Sequence, residues 1–184
     1  MSRLRLLPSL LPGCLLLLVL ASSAQAQFAA SGTTTLSATI APEAALQINT
    51  STTTLSEAGT TFNLSFTGTT SFTFKIRTTK ATGTGTINLK VTTDFSPSGG
   101  PSVLTPPTAG DALAYTCSLT GLGTACSGSQ TASTTSSTPV GTFGANALSA
   151  NAGNSGSVSW TLTDDPQYST GTYTATVTFS ISAT

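Results

Sequence analysis

The stretch GTYTATVTFSISAT, Gly171 to Thr184, decides the fold. Tyr173, Ala175, Val177, Phe179 and Ile181 alternate with small polar residues. Strict period-two alternation marks a β-strand with one buried face and one wet face. A strand this apolar needs a neighbour on each side, or its unpaired edge becomes a template for another chain. The question is which strand lies beside it, and whether that strand belongs to the same molecule.

Working back from that strand, the same alternation recurs at short intervals. Ala45–Ile48, Phe62–Phe66, Phe72–Ile76, Ile87–Val91, Leu113–Leu119 and Val158–Leu162 each place apolar residues on one face. Turn-forming clusters rich in Gly, Pro, Asn, Asp and Ser separate most of them, with GTT set between Phe66 and Phe72. No segment carries a helical period of useful length. About seven half-buried strands at this spacing predict an all-β chain folded as an immunoglobulin-like β-sandwich. Ser96–Gly110 reads as a long surface loop, and Ser127–Gly144 as either an edge strand or a loop excursion.

The N-terminal segment reads as a leader rather than as fold. Arg3 and Arg5 precede an apolar run, and Ala24–Ala26 offers small residues for cleavage, so residues 1–26 are expected to form a secretory signal peptide. The run is too short to span a bilayer, and no later stretch is apolar for long enough. The expected mature chain starts at Gln27 and carries four cations against six acids, a net charge of −2. That excludes the basic footprint of a nucleic-acid binder. Thr supplies 39 of the 184 residues. A Thr-rich, charge-poor composition suits a sheet that faces water, because β-branched Thr fits the pleat and stays wettable. The expected location is therefore outside the cell.

Candidate chemistry is sparse. The chain has no histidine. Cys117 and Cys126 remain once the leader is removed, and an even pair in an exported chain most simply forms a disulfide, its loop turned by two glycines. Asp164 and Asp165 in DDPQ read as turn chemistry, although their oxygens are of the type calcium takes. Trp160 is in phase with Val158 and Leu162, which places it in the core rather than on a sugar-stacking platform. Lys75, Arg77 and Lys80 read as the solvated face of a strand. No cofactor, metal site or catalytic constellation is expected, and the chain does not read as an enzyme.

The segment after the leader, QFAASGTTTLSATIAPEAALQI, alternates again through Thr34, Leu36, Ala38 and Ile40. Pro42 cannot donate to a sheet ladder, so it separates an arm, residues 27–41, from a domain spanning 42–184. The pattern leaves two readings open: a first strand of the sandwich, or a strand made to enter a groove that already exists.

The arm TLSATIAPEAAL resembles the donor strand of pilins in the alternate class of chaperone–usher fimbriae. The tail, with Gly171 and Tyr173 ahead of its alternating row, is similar to the terminal strand of those pilins and of the spore coat protein U group. Ala183 stands where the family often has an aromatic residue. The resemblance implies a sandwich that lacks its last strand. Tyr173, Ala175, Val177, Phe179 and Ile181 would wall an open acceptor groove. A periplasmic chaperone would fill the groove first, and at an outer-membrane usher the Thr34, Leu36, Ala38 and Ile40 row of another copy would replace it. The implied function is a structural subunit of a surface fimbrium, a head-to-tail homopolymer. The alternative is a secreted binding module whose own arm fills the groove; a tip adhesin would need a further domain.

Overall fold

The computed structural model describes residues 31–57, 59, 60, 62 and 64–184. The expected leader, 1–26, and arm residues 27–30 lie outside the described residues. The chain divides into two units, Met1–Ala38 and Thr39–Thr184. In the first, residues 31–38 belong to no strand and are exposed.

Among its described residues the second unit holds ten strands: β1 (Glu43–Ile48), β2 (Ser56–Glu57), β3 (Ser65–Arg77), β4 (Gly85–Ser96), β5 (Leu113–Leu119), β6 (Thr124–Ala125), β7 (Gln130–Thr131), β8 (Thr138–Phe143), β9 (Asn154–Thr163) and β10 (Thr174–Ala183). They form two antiparallel sheets, with no helix among the described residues. One sheet runs β1-β3-β9-β5-β7 with β2 also on β3, and the other runs β10-β4-β8-β6. Inward rows from both sheets make one core, including Phe72, Phe74, Ile87, Leu89, Val91, Tyr115, Val140 and Val158, all essentially without solvent contact. Aromatic pairs stitch the sheets together: Phe74 meets Phe143 at 5.3 Å between ring centroids. The molecule is an all-β sandwich.

The strands differ from the sequence reading in two places. Phe62–Phe66 is not a strand of its own. Phe62 is 66% exposed, and β3 runs unbroken from Ser65 to Arg77 through the glycine and threonines that resemble a turn. Phe66, Gly68, Thr70, Phe72, Phe74 and Ile76 share a phase, so the strand continues. Gly68 is there because the chain crosses over it: a Cβ would lie 2.7 Å from the Thr54 carbonyl oxygen. Thr70 is buried and receives the indole N–H of Trp160 at 2.8 Å, which places Trp160 in the core. Within Ser127–Gly144, β8 pairs with β4 as an inner strand. Pro139 is tolerated there because β6 pairs only at Thr142 and Gly141, leaving no ladder on that side of the proline.

β1 docks on β3 over six register pairs, from Glu43 opposite Arg77 to Ile48 opposite Phe72. Arg77 braces the start of this pairing. Its Nε donates to the Ala41 carbonyl at 2.9 Å and its Nη2 meets Glu43 Oε2 at 3.1 Å. At the far terminus, Thr184 is tied to the β3–β4 turn, its carbonyl accepting from Thr79 N at 2.9 Å and its amide donating to the Thr84 carbonyl at 2.8 Å.

Candidate functional site: an open side of the sandwich

The two long sides of the sandwich are built differently. On one side, β5 and β6 belong to opposite sheets, and the Cys117–Cys126 disulfide joins them, with an S–S distance of 2.00 Å and the Cα atoms 5.4 Å apart. The intervening loop turns on Gly121 and Gly123, at φ of 80° and 85°, a region that residues with a Cβ rarely occupy. That side is clipped shut.

On the other side, β1 and β10 are the edge strands of their sheets and approach without pairing. Among the described residues β10 is paired through β4 alone, with Val177 opposite Val91, Phe179 opposite Leu89 and Ile181 opposite Ile87. The consequence is visible along the strand. The β4 row is buried, whereas Ala175, Val177, Phe179, Ile181 and Ala183 are each only half-buried. Facing them, Ala44 and Leu46 of β1 are half-buried as well.

β1 covers only part of β10. Phe179 stacks on Phe72, which pairs with Ile48 at the end of β1. Asn49 and Thr50 then turn away, both amides reaching the Ser71 carbonyl. Between Tyr173 and Phe179 a groove of about 890 Å³ therefore opens into the core. Its floor includes Phe66, Leu113, Trp160 and Leu162. Thr50–Leu55 and Phe62 form one wall, and Tyr173, Ala175 and Val177 the other. Tyr173 lies one residue ahead of β10; its ring covers Gly100 and its hydroxyl donates to the Ser169 carbonyl at 2.7 Å. Of the arm residues, Thr34, Leu36, Ala38 and Ile40 lie in no strand, with Leu36 92% and Ile40 70% exposed.

Sequence reasoning missed the Thr50–Leu55 wall, which has no periodicity to betray it, and the end wall of the groove. The latter is an acidic corner. Asp164 and Asp165 are buried just past β9, and with Tyr168 they line the groove. Asp165 Oδ1 accepts from Gln167 N at 2.8 Å, and the Asp165 carbonyl from Tyr168 N at 2.9 Å. Tyr168 donates its hydroxyl to Asp111 Oδ2 at 3.2 Å, and Gln167 Nε2 donates to Thr108 Oγ1 at 3.0 Å. Asp165 Oδ2 is buried, with no donor in hydrogen-bonding geometry among the described residues.

Burial, and then the adjoining Asp165 carboxyl, push Asp111 above the usual carboxylate range against the pull of the Tyr168 hydroxyl. The nearby Thr108 hydroxyl and the Gln167 amide hold Asp165 below that range. Burial and the Asp111 charge push the Tyr168 phenol well up. Among the described residues, no three His, Cys, Asp or Glu side chains converge to hold a metal ion, and no helix is long and apolar enough to cross a membrane.

The geometry defines a class: a disulfide-clipped β-sandwich whose edge strand β10 keeps one side free among the described residues, beside a groove with an apolar floor. Comparison with protein-family models, with curated proteins and with solved structures found no match.

Proposed function

We propose that this protein is a structural subunit of an extracellular filament, each copy completing the sandwich of its neighbour by donating its N-terminal arm. The observation that carries this reading is the free edge of β10, with its half-covered apolar row beside the open groove. A strand added there would receive main-chain hydrogen bonds from β10 and place alternate side chains in the groove.

The strand order supports the reading. Taking β1, β3, β4, β5, β9 and β10 as strands A to F, the sheets run A-B-E-D and F-C followed by β8 and β6, an order in keeping with an immunoglobulin-like sandwich that would take a seventh strand, G, beside β10. The arm fits the vacancy in length. Residues 31–41 reach about 36 Å when extended, against about 33 Å for the ten residues of β10. It fits in pattern too, because Leu36 and Ile40 lie in one phase and are exposed.

Donation through two different surfaces does not close on itself and so generates a fibre. The exposed apolar row calls for a periplasmic chaperone before assembly and an outer-membrane usher as the site of exchange. The disulfide and the leader-like N-terminus support export to the cell surface.

The test is electron microscopy of material secreted when the chain is expressed with a chaperone and usher of the alternate class. Fibres composed of this chain support the proposal. Monomers whose stability drops when the arm is deleted would overturn it in favour of a self-completed secreted binding module.

A further inference from the structure

The acidic corner joins two loops at the end of the groove, 97–112 between β4 and β5 and 164–173 between β9 and β10. Ser169 N donates to the Gly99 carbonyl at 2.7 Å, Tyr173 covers Gly100, and Tyr168 and Gln167 reach Asp111 and Thr108. Within this otherwise satisfied junction one atom is left over. Among the described residues Asp165 Oδ2 finds no donor, although the residue is only 7% exposed. Buried polar atoms are nearly always hydrogen-bonded, so the exception requires an account. Tyr168 ties the Asp111 carboxyl to this residue, its hydroxyl donating to Asp111 Oδ2 and its amide to the Asp165 carbonyl, and each carboxyl acts on the other. The Thr108 hydroxyl that acts on Asp165 makes no hydrogen bond to Oδ2, and two ionised carboxylates offer acceptors only, whereas a protonated one supplies the missing donor.

We propose that Asp111 and Asp165 share one proton, forming an acid-set clasp between the two loops that end the groove. Asp111 takes the proton from water and donates its O–H to Asp165 Oδ2. On deprotonation the proton returns to water and two carboxylates are left facing each other.

No cation among the described residues acts on them. The charges acting on Tyr168, at the centre of the corner, are those of Asp111, Asp165 and Asp164. Asp94, at the base of the first loop, is committed to four donors of its own. Thr50–Leu55, the facing wall, carries no charged side chain. The raised Asp111 and lowered Asp165 agree in sign with a shared proton. The clasp contribution is greatest near the unfolded carboxyl value of ~3.9. It fades as pH rises through the folded Asp111 value, and as pH falls through that of Asp165. Its bearing on what enters the groove rests on the donor-strand reading; the clasp itself does not.

Hydrogen exchange of the full chain, corrected for intrinsic rates and read by mass spectrometry, tests the clasp. The segment 164–173 is expected to be roughly tenfold better protected at about pH 4.5 than at about pH 7, the worth of a single hydrogen bond. Asp111→Asn, whose amide donates to Asp165 at any pH, is expected to abolish the difference by raising protection at neutral pH. If that variant does not fold, Asp165→Asn, which donates in the opposite direction, reads the same quantity. Equal protection of the native chain at both pH values would overturn the clasp, as would an acid step that survives in Asp111→Asn. Protection at neutral pH that appears with millimolar calcium and vanishes with a chelator, without an acid step, would assign the orphan oxygen to a cation instead. A missing acid step leaves the filament reading standing, and a chain that forms no fibres leaves the clasp standing.

Discussion

Phe179, on the unpaired edge strand, lies 5.8 Å from Phe72 of the opposite sheet, ring centroid to ring centroid. Phe72 is fully buried; its partner is only half-buried. The same contact therefore has a different worth on its two sides. Phe72→Ala is expected to cost about 3–5 kcal/mol, and Phe179→Ala about 1–2 kcal/mol in the free chain, because less of its ring leaves water on folding. Denaturant unfolding of both variants measures the difference. Equal losses would mean that the groove is already filled.

The arm should be read in phase. Leu36→Asp or Ile40→Asp would bury an unpaired carboxylate in the groove of a neighbour and is expected to abolish fibres. Ser37→Asp or Thr39→Asp, one residue out of register, points to the other face and is expected to be mild. Fibre yield after chaperone-assisted expression is the readout. Equal damage at all four positions would remove the arm from the groove.

Replacing Cys117 and Cys126 with serine opens the clipped side. The short loop between them predicts a loss of ~2–3 kcal/mol in the chain-entropy model, without loss of the fold. Urea titration checks the magnitude. Thiol titration of the native, unreduced protein should find both cysteines unreactive.

Gly68→Ala pushes a Cβ to 2.7 Å from the Thr54 carbonyl oxygen, so the crossing segment must shift. A loss of about 1–3 kcal/mol is expected, the usual range for overpacking. Gly144→Ala, where a Cβ meets nothing within 4 Å, is the control and should be close to neutral. A comparison of urea midpoints decides.

Asp94 sets an acid limit on the β4–β5 loop. Burial pushes its carboxyl up, but hydrogen bonds from the Val103 amide, the Ser102 hydroxyl and the Leu104 and Phe95 amides prevail and hold it down. A depressed folded value means that the contribution is present above the unfolded ~3.9 and is lost as pH falls through the folded value. The melting-temperature gap between the native chain and Asp94→Asn should therefore be full at neutral pH and shrink on acidification. A gap that grows in acid would contradict this sign.

Much of the fold was legible because alternation and burial coincide. Leu113–Leu119 stands at the bounds its pattern indicates, and Val177, Phe179 and Ile181 share the face their spacing requires. The cysteine pair was legible because two cysteines nine residues apart around a glycine turn, with no histidine in the chain, have few other uses. β3 was misread because Gly68 and Thr70 resemble turn residues, when one makes room for a crossing chain and the other receives the Trp160 indole. The place of β8 in the second sheet was hidden by Pro139, whose cost disappears only where β6 happens to end. The acidic corner was hidden more deeply. Asp111 and Asp165 are 54 residues apart, and no local pattern announces that two loops will bring them together.

The bracing of β1 bears on mechanics. A pull directed along β1 from the chain ahead of Glu43 would enter a strand held to β3 by six register pairs. Those hydrogen bonds are loaded in shear and share the tension, instead of parting one after another as at the end of a hairpin. Arg77 grips both Ala41 and Glu43 at the loaded end, where rupture would start. The junction between arm and body is built as a lap joint.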